Sequence, residues 1–226
     1  MRGSQVAGGC TRRYEQMAWR RGFQRVAGTD EVGRGALFGP VVAAAVILDP
    51  DRRIPGLDDS KRVPPRRRLE LADKIRERSL AYAVAYVTPE RIDAWNIYQA
   101  SRQAMLAALV QLHPAPDFVL SDALPLDLIA AGARVPCQTL IRGDARSVSI
   151  AAASILAKVE RDALMAELDQ LYPAYGLARH KGYATREHLE KLRQHGPTLL
   201  HRRSFAPVRA CLEWVYAAAQ EPLPFF

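Results

Sequence analysis

Gly28-Thr29-Asp30-Glu31-Val32-Gly33-Arg34-Gly35-Ala36-Leu37-Phe38-Gly39-Pro40 runs directly into the apolar stretch Val41–Leu48. Residues 25–30 read as one strand and 36–48 as a second, nearly continuous in apolar residues and therefore suited to the middle of a sheet. Gly33 and Gly35 mark the turn between them. Asp30 and Glu31 stand where the first strand gives way to that turn. Their side chains should point to opposite faces, since strand side chains alternate, so both serve one site only if the strand ends or bends there. The surrounding glycines permit positive φ and close backbone approach to a sugar or phosphate.

Outward from this segment, Pro64-Pro65 opens a helix to about residue 79, and 81–87 is a third strand. Thr88 is the expected N-cap of a short helix, and 96–112 is a second. Residues 118–121 form a short strand ending at Asp122, and 137–141 form another just before Asp144. A long helix over 147–171 stops at Pro173. Helices over 185–195, closed by Gly196, and 207–219 finish the chain. This order predicts an α/β fold, a central mixed sheet flanked by helices with a helical C-terminal region. Residues 1–23 are expected to be a loose basic leader, 24–219 the catalytic domain and 220–226 a tail.

The chain has 226 residues, 49% of them hydrophobic, enough for a sizeable core and too many for a disordered chain. The longest apolar run, 41–48, is far short of the ~20 residues that span a bilayer, so no membrane partner is expected. No apolar segment follows the basic N-terminus, as a secretory signal requires. The 3 cysteines form no C-x-x-C pair and fit a reduced, cytoplasmic protein. The net charge of +8 is concentrated in residues 1–25, 61–87 and 178–209. Solvated helix faces explain such blocks as well as a polyanionic partner does, with nucleic acid ahead of membrane.

Asp30, Glu31, Asp122 and Asp144 all fall at strand ends, where α/β sheets bind ligands. Each acid taken singly could cap a turn or pair with an arginine. Clustered, they would repel one another unless a cation intervened, and oxygen ligands favour Mg²⁺ or Mn²⁺ over zinc. The histidines at 180, 188, 195 and 201 lack zinc-ligand spacing, and His180 is expected at a phosphate or in local packing.

The segment 28–40 resembles the N-terminal signature of type 2 ribonuclease H, the bacterial ribonuclease HII. The resemblance continues in order through Leu57-Asp58-Asp59-Ser60-Lys61, residues 92–97 and 100–105, the stretch 149–158 with Arg161-Asp162, His180-Lys181-Gly182-Tyr183 and His201-Arg202-Arg203-Ser204-Phe205. It implies an RNase H-like fold and a metal-dependent endoribonuclease. Such an enzyme cuts the RNA strand of RNA/DNA hybrids, and duplex DNA 5′ to a single embedded ribonucleotide, leaving 3′-hydroxyl and 5′-phosphate ends. The implied acidic ligands of Mg²⁺ or Mn²⁺ are Asp30, Glu31, Asp122 and Asp144. Gly33, Arg34 and Gly35 would read the ribose 2′-hydroxyl. Tyr183 would stack on the sugar after the ribonucleotide, and Lys61, Ser154, Lys158 and Lys181 would hold phosphates. An i, i+4 ion pair with Asp162 is the other reading of Lys158.

Two positions depart from the family pattern, Ala123 where glycine usually follows the third acid and Arg142 where lysine usually precedes Gly143-Asp144. The tail Gln220-Glu221-Pro222-Leu223-Pro224-Phe225-Phe226 resembles peptides that dock sliding clamps, which makes a clamp a candidate partner, and folding back on its own domain is the other reading. A ribonuclease HIII-like enzyme is disfavoured because only some 24 residues precede the first strand, too few for that branch's extra domain. A non-catalytic hybrid-binding protein would gain nothing from four carboxylates facing a polyanion.

Overall fold

The computed structural model describes residues 9–130 and 132–220. Contacts divide the chain into two compact units, Met1–Val32, Val42–Tyr86 and Ser101–Glu160 in the first, Gly33–Val41, Val87–Ala100 and Arg161–Phe226 in the second.

The first unit is built on a five-stranded sheet in the order β3-β2-β1-β4-β7. Strand β1 (Val26–Val32) pairs antiparallel with β2 (Val41–Leu48) and parallel with β4 (Phe118–Asp122), which is itself parallel to β7 (Cys137–Leu140). Strand β3 (Ser79–Val87) completes the sheet beside β2, so the sheet is mixed, as the sequence predicts. Every residue of β2 is buried, in keeping with a central strand made wholly of Val, Ala, Ile and Leu. Ala44, Val46 and Leu48 pack with Leu71, Ala72 and Ile75 of α2 (Pro65–Arg78) and with Ala151–Ala153 and Ile155–Ala157 of α5 (Val148–Leu171). Leu71, Ile75 and Ile155 are 0% exposed, each contributing about 1.5–3 kcal/mol of burial.

Two expectations need correction. The second strand begins at Val41 and not at residue 36, because Gly39 turns the backbone to φ 79° and Pro40 cannot donate to a ladder. The leader is not loose throughout, since Arg13–Arg20 form helix α1. Glu15 of that helix is 1% exposed and accepts hydrogen bonds from the Ser147 hydroxyl and, at 3.0 Å, from the Ser149 N–H. A carboxylate from far upstream therefore satisfies orphan donors at the start of α5. Tyr14 and Trp19 pack beside Val26, Phe118 and Ile150, an anchorage that the leader's charge conceals.

The same helix start explains Gly28. A Cβ there would lie 2.1 Å from the Ser149 carbonyl carbon and 2.4 Å from the Ile150 nitrogen. The glycine lets α5 rest on β1 backbone to backbone, a packing role and not the ligand approach expected of it.

The remaining described elements include the hairpin β5 (Leu128–Ala130) and β6 (Ala133–Val135), which no residue pattern announced, and α4 (Ile97–Val110). In the second unit are α3 (Pro89–Trp95), α6 (Leu177–His180), α7 (Arg186–His195) and α8 (Ala206–Gln220), with the end of α5. Thr88 occupies the N-cap of α3 without a side-chain capping bond, whereas Thr185 caps α7 by accepting from the His188 N–H. Phe38, Met165, Tyr175 and Leu177 form one core cluster, and Leu37, Leu192, Val208 and Cys211 another. Among the described residues no helix is long and apolar enough to cross a membrane.

Gly28→Ala should lower the unfolding free energy by about 3 kcal/mol or more, since only backbone atoms stand in the way and they cannot rotate aside. Urea titration checks this; an unchanged midpoint would contradict the close approach.

Candidate active site

Strands β1, β4 and β7 are parallel neighbours, so their C-terminal ends lie on one side of the sheet. Thr29 is paired with Ser121, which puts Asp30 and Asp122 level on adjacent strands. Asp144 follows β7 in a short 3₁₀ turn, Gly143–Ala145. One carboxylate oxygen from each of Asp30, Asp122 and Asp144 lies within 4.8 Å of the others. Asp30 is 6% exposed and Asp144 8%.

Local backbone geometry aims these side chains. After Asp122 the chain turns sharply through Ala123 at φ 50°, and the Ala123 N–H donates to the Leu140 carbonyl. The family's usual glycine is explained, since this is a left-handed position that alanine occupies at a cost. Arg142 is also left-handed, at φ 56°. The Gly143 N–H donates to Asp122 Oδ1 at 2.6 Å, and a Cβ at 143 would meet Ile150 Cδ1 at 2.6 Å. Gly143 thus fixes one acid while carrying the next.

Glu31 stands apart from the group of three. Strand β1 runs on to Val32, two residues beyond the strand end expected at Asp30. Its charge nonetheless reaches Asp30. Burial drives the Asp30 pKa well above the ordinary carboxylate value; Glu31, Asp122 and Asp144 push the same way, and a hydrogen bond from Ser154 opposes them. Asp144 is raised to about 6, first by burial, then by Asp59 and Asp122, with Lys61 opposing.

Asp59, which also hydrogen-bonds Asp144, received no role from the sequence despite lying in a quoted motif. Ser60 was likewise passed over; its hydroxyl is 2.9 Å from that of Ser154, and both residues are buried. Ser154, expected at a phosphate, is therefore engaged with Ser60 and Asp30. Lys158 lies one turn further along α5, half-buried.

Gly33, Arg34, Gly35, Lys181 and Tyr183 belong to the second unit. Here the unexpected residues are two arginines, Arg161 and Arg202, both 0% exposed. Arg161 donates to the carbonyls of Pro40, Lys181 and Phe38 at 3.2, 2.8 and 3.1 Å, and Arg202 to those of Gly39 and Arg34 at 3.0 and 2.9 Å. Guanidinium forks thus hold the 33–40 segment by its backbone. Burial lowers the pKa of Arg161, and that of Arg202 to about 9, with the neighbouring Arg161 adding to the latter. Gly33, at φ 92°, has Arg161 Nε 2.2 Å from where a Cβ would sit, and the Arg161 guanidinium lies 5.4 Å from the centre of the Tyr183 ring. Lys181 donates through Nζ to the Asp162 carbonyl at 3.3 Å. His180 packs locally, bonded to the Tyr175 carbonyl and the Gly182 N–H.

A sequence model of the family described as Ribonuclease HII matches residues 27–208. A Ribonuclease HII from Solibacter usitatus is 56% identical over 201 residues, 89% of this chain and 86% of the relative. The fold is similar to the crystal structure of the ribonuclease H2 from Pyrococcus horikoshii OT3, with a TM-score of 0.72 and 29% identity over 85% of this chain and 99% of that one. It is also similar to the PCNA:RNase HII complex structure from Archaeoglobus fulgidus, with a TM-score of 0.59 and 28% identity over 88% and 92% of the two chains.

Ala123→Gly should raise stability by about 0.5–1 kcal/mol, the relief of a left-handed alanine less the added freedom of the unfolded chain; a fall in the urea midpoint would refute the assigned turn. The raised Asp144 pKa means that its ionisation opposes folding in metal-free protein, fully above about 6 and not at all below the ordinary carboxylate range. Asp144→Asn in chelator should therefore be more stable than the parent by about 1 kcal/mol at about pH 8 and equal to it near about pH 4. Thermal melts at both pH values check the sign, and a gain confined to the acid side would contradict it.

Proposed function

The chain belongs to the ribonuclease HII family of metal-dependent endoribonucleases, and on that ground we propose that it cuts duplex DNA 5′ to single embedded ribonucleotides as well as the RNA strand of hybrids. The family acts on RNA/DNA hybrids. The observation that carries the finer reading is the convergence of the Asp30, Asp122 and Asp144 oxygens within 4.8 Å at the ends of three parallel strands.

The donor set fits a hard divalent cation. It is all oxygen, and Asp30 and Asp144 resist ionisation through burial and the charge of their neighbours, a cost that Mg²⁺ or Mn²⁺ would remove. Asp30, Asp122 and Asp144, with Glu31 as the fourth carboxylate, would hold two such ions. Bound there, a metal pair supplies an activated water and charge stabilisation for the leaving oxygen.

The protein's own part is to orient. Ser154 hydrogen-bonds the Asp30 carboxylate, favouring its charged form, and its hydroxyl also lies 2.9 Å from that of Ser60. Asp59 and Lys61 set the charge around Asp144. The backbone of Gly33, Arg34 and Gly35, held at the Arg34 carbonyl by Arg202, would meet the ribose 2′-hydroxyl, and Tyr183 the adjacent sugar. Lys61, Lys158 and Lys181 would neutralise phosphates. In-line attack by water on such a scaffold leaves 3′-hydroxyl and 5′-phosphate ends.

Residues 24–219 would act as the catalytic domain, in the cytoplasm. A sliding clamp is the proposed protein partner, in keeping with the Archaeoglobus fulgidus PCNA complex. The tail thought to carry that contact lies, beyond Gln220, outside the described residues.

A duplex with one embedded ribonucleotide should be cut in Mg²⁺ and left intact in EDTA. Asp30→Asn should lose about a thousandfold or more of that turnover while still binding the duplex. Binding without metal-dependent cleavage by the unaltered protein would favour the non-catalytic reading.

A further inference from the structure

Three histidines of the second unit, His180, His188 and His201, are buried, and none carries a role in the reaction. His188 and His201 are 0% and 1% exposed, and His188 stacks on His180 with ring centres 4.4 Å apart. Each ring nitrogen of His188 and His201 has a partner, and those partners fix where the protons lie. His188 Nδ1 is 2.9 Å from the Tyr183 carbonyl, which only accepts, so Nδ1 carries hydrogen. His201 Nδ1 receives the Thr198 N–H at 3.0 Å, so that nitrogen is bare and the ring's hydrogen sits on Nε2. The two Nε2 atoms face each other at 3.3 Å. Only one arrangement satisfies all three contacts. Thr198 donates to His201, His201 to His188, and His188 to the Tyr183 carbonyl, with both rings neutral. An added proton on either ring would set two N–H groups head to head or displace the Thr198 donor. Burial acts in the same direction, lowering the pKa of His188 and holding that of His201 at about 3, the latter with help from His188.

We propose that His188, oriented by His201, is a positioning residue for Tyr183 and so for recognition of a single embedded ribonucleotide. The inference rests on the junction-reading role given to Tyr183 above. The geometry is specific to that residue. The Tyr183 carbonyl accepts from both the Thr185 N–H, at 2.8 Å, and His188 Nδ1. Thr185 in turn caps α7 through the backbone of His188. On the other side, residue 183 bridges Ala36, and the Gly182 carbonyl accepts from the Leu37 N–H at 2.8 Å. A tilt of the His188 ring therefore moves the peptide that carries the tyrosine. A long hybrid offers many equivalent sites and tolerates such a tilt, whereas one ribonucleotide offers a single register.

Two measurements test this. Nitrogen-15 NMR of the unaltered protein near neutral pH should show His188 protonated on Nδ1 and His201 on Nε2; the opposite tautomers, or a charged ring, would overturn the relay. In kinetics, His188→Leu should lower kcat/KM for a single-ribonucleotide duplex about fivefold more than for a long RNA/DNA hybrid, the loss expected of one hydrogen bond. His188→Asn, whose side-chain amide can reproduce the Nδ1 donor, should restore the ratio. Equal losses on both substrates would make His188 a packing residue only and sink the proposal. Tyr183→Ala run in parallel separates the two failures. If it lowers the ratio and His188→Leu does not, the relay alone is wrong. If it leaves the ratio unchanged, the reading of Tyr183 falls and takes the relay with it. Should His188→Leu not fold, the tautomers and His188→Asn decide.

Discussion

Like charges in a dry place repel, and three carboxylates with oxygens within 4.8 Å of one another must be held together by everything around them. The sheet supplies the force. Parallel pairing of β1 with β4 and of β4 with β7 puts the acids at neighbouring strand ends, and a one-residue slip of either pair would turn a strand's side chains, its acid among them, to the other face of the sheet. The cost of the arrangement appears in Asp30 and Asp144, which burial and their neighbours drive toward the protonated form. A divalent cation reverses that balance, so the repulsion which weakens the metal-free protein becomes affinity for metal.

Close approach recurs wherever the site is shaped. Gly28 seats α5 on β1, Gly143 brings its N–H to Asp122, and Gly33 leaves room for Arg161. In the second unit the cohesive groups are cations bonded to neutral carbonyls. Arg161 and Arg202 bind the 33–40 segment through its backbone, which leaves its sequence free to serve a substrate. Arginine suits this better than lysine because its planar fork reaches several carbonyls at once and stays charged when buried.

The sheet was legible because β2 is apolar without interruption and the acids follow strand ends, both of which are local patterns. Most helices were legible for the same reason, their ends marked by Pro65, Pro173, Thr185 and Gly196. What escaped depends on partners distant in the chain. Helix α1 looks like a charged leader until Glu15 is seen to cap α5 across more than a hundred residues. The break at Gly39 was hidden by apolar neighbours that fit a strand equally well. Asp59, Ser60, Arg202 and the histidine chain lie inside or beside recognised motifs, yet their roles follow from hydrogen-bond partners that spacing does not encode. The contacts of Ser154, expected at a phosphate, with Ser60 and Asp30 are of the same kind.

The most direct test of the account is anomalous diffraction from a crystal of the full chain soaked in Mn²⁺. The account predicts manganese bound by oxygens of Asp30, Asp122 and Asp144 together, with Glu31 completing the site once substrate is present. Manganese found only elsewhere, or none at these carboxylates at saturating concentration, would contradict it.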